Sequence, residues 1–240
     1  MKVAYGFFSF TEVTDPSEHR AYNAWHQLDH LPEQFPLPGI VYGQRWVSTP
    51  ACRTARVASE PTLDPIDYVT CYLMAEPIDE TIDEFFALGA ELHRLNRFHR
   101  QRRAHLTGPF RVVDAWAAPR TSVSAAAVPF RPHRGIYVVV DEPGEHAEPD
   151  TDVRAALVDV PGVAGGWTFS TVEAMTSPRW TAGVRRITVW WLDDDPLDVA
   201  ARVEPLVTTR PGPSHGAWRA TFAGPFETIN PWQWDWFDDC

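Results

Sequence analysis

The tripeptide Gly108-Pro109-Phe110, followed six residues later by Trp116, occurs again as Gly224-Pro225-Phe226, followed six residues later by Trp232. Two further pairs of landmarks come earlier in each half of the 240-residue chain. They are the Pro-Gly corners Leu37–Ile40 and Val160–Val163, and the strand-like runs Tyr68–Leu73 and Ile187–Leu192. Because all three pairs keep the same order, they predict a tandem duplication of one structural unit.

The repeat divides the chain into two units of similar length. We predict a first unit over 1–118, an Ala-, Ser- and Pro-rich linker over 119–132, and a second unit over 133–240. Each unit has the order strand, helix, strand, strand, helix, strand, which is the ferredoxin-like α+β arrangement with both helices on one sheet face. The other face needs a partner. We therefore expect the two units to pack sheet to sheet, as an α+β barrel within one chain.

Alternating β-branched and aromatic residues predict the strands, and the helices lie between them. In the first unit we predict strands over 2–10, 41–48, 67–75 and 109–116, and helices over 16–34 and 79–105. In the second unit we predict strands over 134–141, 164–171, 185–192 and 217–223, and helices over 150–158 and 196–207.

Composition limits the class of partner. A formal charge of −11 argues against nucleic-acid binding, which requires a basic surface. The sequence has no apolar run long enough to span a membrane, and the spacing of its three cysteines is not typical of a metal or redox site. We therefore expect a cytoplasmic protein, with self-association left open. The 11 tryptophans and 13 phenylalanines favour a pocket for a flat or apolar small molecule.

The segment Tyr22–Glu33, followed by Leu37-Pro38-Gly39, resembles the dimeric α+β barrel superfamily, and within it the EthD-like and stress-responsive branches. The shared motif is a helix ending in His-x-Pro and then a Pro-Gly corner, matched here by His30, Pro32, Pro38 and Gly39. The resemblance implies a ligand cleft between the sheet and the two helices. Superfamily members include cofactor-independent oxygenases, polyketide cyclases, isomerases and haem enzymes, so the fold does not select a reaction.

The first helix carries the candidate catalytic residues, which are His30, His26 and Glu33. A histidine beside carboxylates is suited to proton transfer near neutral pH. The opposite stripe, which includes Ala24 and Leu28, is apolar. If that stripe packs on the sheet, His30 faces solvent, so its orientation stays open. The spacing of His26 and His30 also suits one metal, but no third ligand is indicated and we predict no metal.

Candidate substrate-binding residues come from several elements of the first unit. They are Tyr22, Trp25, Trp46, Tyr72, His93 and Arg97. The basic run around Arg97 fits either a solvated helix face or a site for a ligand carboxylate or phosphate. The aromatic segment that begins at Trp232 could cover the cleft, mediate self-association or pack across a sheet edge.

The second unit has no histidine on its short first helix, so the resemblance places a single active cleft in the first unit. We predict a cofactor-independent enzyme that acts on an aromatic or polyketide-like substrate through His30. A cyclase, isomerase, lyase or oxygenase reaction would fit. One alternative is a haem-dependent enzyme, with His93 or His99 as the axial ligand that the resemblance implies. The other is a non-catalytic protein that binds an apolar or anionic ligand.

Overall fold

A computed structural model describes residues 2–143, 151–172, 175, 177–178, 180–208 and 218–238. Among these residues the strands are β1 (Val3–Val13), β2 (Ile40–Val47), β3 (Ala58–Ser59), β4 (Tyr68–Ala75), β5 (Arg102–Ala117), β6 (Gly135–Glu142), β7 (Val163–Ser170), β8 (Arg186–Leu192) and β9 (Arg219–Thr228). The helices are α1 (His19–Trp25), α2 (Leu31–Gln34), α3 (Pro50–Thr54), α4 (Ile78–Arg94), α5 (Thr151–Val158) and α6 (Pro196–Thr208). The shorter turns are the 3-10 turns Pro16–Glu18 and Ala125–Phe130 and the π-helical turn His26–His30.

The strands form two ferredoxin-like sheets that join into a barrel. The order within the first unit is β2-β4-β1-β5 and within the second β7-β8-β6-β9, so each copy has the same topology. Antiparallel pairing of β5 with β7 joins the sheets on one side. Pairing of β2 with β9, through Trp46 opposite Thr228, joins them on the other. The predicted α+β fold, with two units packed sheet to sheet in one chain, is confirmed.

The barrel interior is the main hydrophobic core. Strand alternation sends Ile136, Val138 and Val140 inward, where they meet aromatic residues of the other unit such as Phe8 and Phe10. Burying each side chain of this size contributes about 1.5–3 kcal/mol relative to exposure. The outward residues of the same strands pack under the helices instead. Each sheet therefore has two covered faces, and a ligand site needs a gap in one of the outer layers.

The second predicted helix is shorter than expected. It was predicted to reach residue 105, but α4 ends at Arg94 and residues 102–105 belong to β5. The physical reason is Asn96, which adopts a left-handed conformation with φ 58°. The Arg97 amide then donates to the Leu92 carbonyl, the hydrogen bond that closes a helix C-terminus in a Schellman motif. Because α4 ends here, the last basic residues of the segment, from Arg102 onward, lie on strand β5.

The remaining differences are small. The first strand extends to Val13, and a short helix and strand, α3 and β3, follow β2. Residue 150 of the predicted helix and residue 217 of the predicted last strand lie outside the described residues. Between the units, Val128 is fully buried in the barrel core, so this connection is packed. Within the described part of the chain, the helices are too short or too polar to cross a membrane.

Candidate active site

A cleft of about 220 Å³ lies between the sheet of the first unit and its helices. Its floor comes from β1, β4 and β5, and its walls from α1, the π-helical turn, α2, α4 and the start of β5. The lining residues are Phe7, Ser9, Thr11, Tyr22, Trp25, His26, His30, Gln34, Thr70, Tyr72, Phe85, Phe86, Gly89, Phe98, Arg102, Ala104 and Thr107. We call this space the cleft.

A polar row crosses the floor of the cleft. Thr70 pairs with Ser9, and Ser9 pairs with Thr107, so three hydroxyl side chains share one register on one sheet face. Arg45 on β2 pairs with Thr70 and extends the row to a fourth strand. Such a row is unusual beneath a helix layer, because a buried polar group without a partner costs free energy. The row therefore indicates a surface that serves a polar ligand.

The equivalent space in the second unit is filled. Tyr137 lies opposite Pro225 as Phe7 lies opposite Pro109, so the two sheets can be aligned residue by residue. In this alignment Val139 takes the place of Ser9, and Ala223 takes the place of Thr107. Trp190 takes the place of Tyr72 and stacks on Tyr137 at 5.1 Å. Two of the three hydroxyl positions are thus apolar in the second unit, while Thr188 keeps the place of Thr70, so the complete polar row belongs to the first unit.

The π-helical turn directs both histidines into the cleft. The Leu31 amide donates to the carbonyl of His26, five residues earlier, which widens the turn by one residue. As a result His26 is 5% exposed, whereas Leu28, which we had assigned to the apolar stripe, is 50% exposed. The sequence left the orientation of His30 open. In the structure its side chain lines the cleft.

The two imidazoles form a close pair among aromatic rings. Their ring centroids are 5.0 Å apart, and His30 stacks on Trp25 at 4.7 Å. His26 Nε2 lies 3.5 Å from the Thr70 hydroxyl. The Nδ1 atoms of both histidines are buried without a hydrogen-bond partner among the described residues.

Both histidines are neutral near pH 7. Burial lowers the pKa of His30 to about 3, assisted by the nearby guanidinium groups of Arg102 and Arg45. Burial and Arg45 likewise hold the pKa of His26 well below its ordinary value. A neutral imidazole has a free lone pair and can accept a proton. The cleft therefore contains two candidate proton acceptors.

Two arginines make the surroundings of the cleft cationic. Arg102 lines the cleft, and its guanidinium lies 5.6 Å from the Trp25 ring centroid and 5.0 Å from that of Phe98. Arg45 is 3% exposed and donates to Asn23 at 3.1 Å, while its Nε and Nη1 have no partner in the described part of the chain. Neither arginine has a carboxylate within ion-pair distance among the described residues.

Five predicted site residues line the cleft together: Tyr22, Trp25, His26, His30 and Tyr72. Four others lie elsewhere. The carboxylate of Glu33 contacts Arg97 at 2.5 Å on the surface, and Arg97 also binds Asp29, so these charges satisfy each other. Trp46 points into the barrel core and donates to His133. His93 is exposed at the end of α4.

Sequence reasoning did not single out Arg45, Arg102 or the hydroxyl row as site residues. Arg102 belongs to the basic run that we had assigned to a helix, and its true direction depends on the chain reversal at Asn96. Arg45 could have been recognised from the sequence as a site candidate. It lies within a strand-like run, and charged residues are seldom placed inside a buried strand.

The cleft does not fit a haem. Its volume lies below the ~300–1,000 Å³ of pockets that hold drug-sized molecules, and a porphyrin needs the upper part of that range. His93 and His99 line a more open depression of about 630 Å³ that shares Phe98 and Arg102 with the cleft, and His99 Nε2 already contacts Glu18 at 3.1 Å. Within the described residues, no group of three histidine, cysteine or acidic side chains is placed to hold a metal.

Solved structures with the same architecture match almost the whole chain. A chlorite dismutase-like protein is 10% identical with a TM-score of 0.53, and the match covers 99% of both chains. An anthrone oxidase-like protein is 8% identical with a TM-score of 0.54, covering 95% of this chain and 92% of that one. A dye-decolorizing peroxidase from Bacteroides thetaiotaomicron is 7% identical with a TM-score of 0.54, covering 95% and 94%.

These neighbours have the dimeric α+β barrel fold, and so does this chain. No protein-family model and no curated protein sequence matches it. At such low identity the likeness concerns the fold alone, and the chemistry has to be argued from the cleft.

Proposed function

We propose that this protein is a cofactor-independent enzyme that removes a proton from an aromatic or polyketide-like small molecule, with His30 as the base. The observation that carries the proposal is the close pair of neutral imidazoles, His26 and His30, that lines an aromatic cleft. The His-x-Pro motif also supports a place in the EthD-like branch, and the anthrone oxidase-like neighbour is named for an enolisable aromatic ketone.

Proton transfer in this cleft involves only the substrate and the side chains around it. His30, with its own proton on the buried Nδ1, accepts a proton from an acidic C–H or phenolic O–H at Nε2. The electron pair of the broken C–H bond moves to the adjacent carbonyl oxygen, which becomes an enolate. Although the pKa of His30 is about 3 before substrate binds, the enolate charge beside it favours the imidazolium and raises that pKa.

His26 and the hydroxyl row are placed to support the same step. Thr70 contacts His26 Nε2 at 3.5 Å, and the hydroxyl groups of the row line the cleft, where they can donate to the substrate oxygen. A donor fixed in a buried site stabilises a developing oxyanion more strongly than water does. Trp25, Tyr72 and Phe98 enclose the aromatic part of the substrate and exclude solvent.

Hydrogen exchange tests the proposal without knowledge of the natural substrate. In D₂O buffer under nitrogen, proton NMR can follow the loss of the acidic C–H signal of anthrone, 2-tetralone and 1-indanone. We expect the wild-type protein to accelerate exchange of at least one of them over buffer. The variant His30→Gln, which keeps a polar side chain without a basic nitrogen, should reduce this acceleration by about 10²-fold or more.

Glu33→Gln is the matched control, because Glu33 was a catalytic candidate on the same helical segment but lies outside the cleft. It should exchange at the wild-type rate. A wild-type rate in His30→Gln would contradict the role of His30. A wild-type protein that binds these ketones but accelerates exchange of none would favour a non-catalytic binding protein instead.

A further inference from the structure

We propose that the cleft takes its ligand as an anion, an aromatic carboxylate or phenolate, whose charged oxygen is held by Arg102. This inference adds the charge of the substrate to the proposed function. It rests on the proposed function because it takes the same cleft as the binding site. The first observation is the lining itself, which among the described residues contains one arginine and no acidic side chain.

The basic residues near the cleft differ in their partners. Arg97 binds Asp29 and Glu33, Arg94 binds Glu91, and Arg103 lies 3.7 Å from Glu12. Arg102 instead rests against the faces of Trp25 and Phe98, with no ion pair among the described residues. Stacked in this way, a guanidinium is held in place while its N–H groups remain available to a carboxylate.

A second cation lies beside the floor, at the end of the hydroxyl row. Arg45 is buried between the rings of Tyr22 and Tyr68, with its guanidinium carbon 5.1 and 5.3 Å from their centroids. Its one hydrogen-bond acceptor among the described residues is the neutral amide of Asn23. An uncompensated buried charge costs several kcal/mol, and a negative charge bound in the adjacent cleft would offset part of that cost.

Burial lowers the pKa values of His26 and His30, and the positive charges of Arg45 and Arg102 lower them further. Other charged groups near the pair are few: Asp29 acts in the opposite direction on His30. The arginines therefore supply fixed positive charge, while the histidines stay available as proton acceptors. An acidic substrate fits both roles.

Matched ligands test the inference directly. Isothermal titration calorimetry at pH 7.5 would compare 2-naphthoate with 2-naphthamide, which differ little in shape but differ in charge. We expect the wild-type protein to bind the carboxylate about tenfold more tightly or better, because hydrogen bonds to a charged group are stronger than neutral ones. Arg102→Gln should abolish this preference while its affinity for the amide stays within about twofold of wild type.

Arg103→Gln is the control, because it removes the same charge from the next residue, whose side chain is 66% exposed. It should keep the full preference. Because calorimetry measures ligand affinity and not hydrogen exchange, a failure of the anion site is distinguished from a failure of the proposed proton transfer. The inference is overturned if the wild-type protein binds both ligands equally, if it binds neither at millimolar concentration, or if Arg102→Gln retains the preference.

Discussion

At the scale of single residues, the cleft combines cationic arginines with histidines that burial keeps neutral. His30 has a pKa of about 3 in the folded protein, against 6.5 for an exposed imidazole. Between these values the unfolded chain binds a proton at this residue and the folded chain does not. The free energy of unfolding is therefore unaffected by His30 above pH 6.5 and falls as the pH is lowered below it.

This linkage predicts a shallower acid response for His30→Gln. Each pH unit below about 6.5 should cost the wild-type protein about 1.4 kcal/mol through His30, and the variant should lose that contribution. Urea unfolding followed by tryptophan fluorescence between pH 4.5 and 7.5 would measure the two slopes. His93→Gln, at an exposed position, should retain the wild-type slope. Identical slopes for wild type and His30→Gln would argue that His30 is not buried in the neutral form.

At the scale of elements, the position of the helical segment over the cleft depends on close contact with β2. A Cβ atom on Gly43 would lie 2.8 Å from Tyr72 Cδ1 and 3.0 Å from Leu31 Cδ1. Leu31 directly follows the π-helical turn, so Gly43→Ala should displace the segment that carries both histidines. We expect the free energy of unfolding to fall by about 1–3 kcal/mol, as for other overpacked sites, together with weaker binding of 2-naphthoate.

The control for this change is the same substitution where there is room. A Cβ atom on Gly89, inside α4, would meet no atom within 4 Å. Gly89→Ala should therefore raise the free energy of unfolding by about 0.5–1 kcal/mol, because alanine favours the helix. Urea unfolding of both variants gives the comparison. Destabilisation by Gly89→Ala, or none by Gly43→Ala, would contradict the packing argument.

The helices and strands also show how much of the fold and of the candidate site could be predicted from the sequence. The duplication and the strand order of both units were predictable, because landmark spacing and side-chain periodicity encode them. His26 and His30 became candidates through the resemblance to the superfamily motif, not through periodicity. The π-helical turn was not predictable, since an α-helical pattern assigns Leu28 to the core and leaves His30 ambiguous. The end of α4 at Asn96 was missed for a similar reason: one left-handed residue reverses the chain and moves Arg102 from a helix to a strand.

At the scale of the whole molecule, the tail of the second unit packs against the helical segment that forms one wall of the cleft. After β9, the chain crosses to the helical segment of the first unit, where Trp234 donates to Gln27 and Phe237 stacks on His19 at 3.8 Å. Trp234 is 7% exposed and packs in the same cluster as Tyr22 and Tyr68. The sequence left three arrangements open for this aromatic segment. In the structure the segment is packed on the protein, but over a helix of the first unit rather than across a sheet edge.

This arrangement predicts that a substitution in the tail of the second unit weakens the site of the first. Trp234→Ala removes a buried indole and should lower the free energy of unfolding by about 3 kcal/mol. Because the lost contacts hold the segment before the π-helical turn, affinity for 2-naphthoate should fall as well. Trp232→Ala is the matched control: this side chain is 70% exposed, and its loss should change stability by less than about 0.5 kcal/mol. Urea unfolding and calorimetry on both variants measure the two effects. If Trp234→Ala lowered stability but bound 2-naphthoate with wild-type affinity, the tail would stabilise the barrel without positioning the cleft.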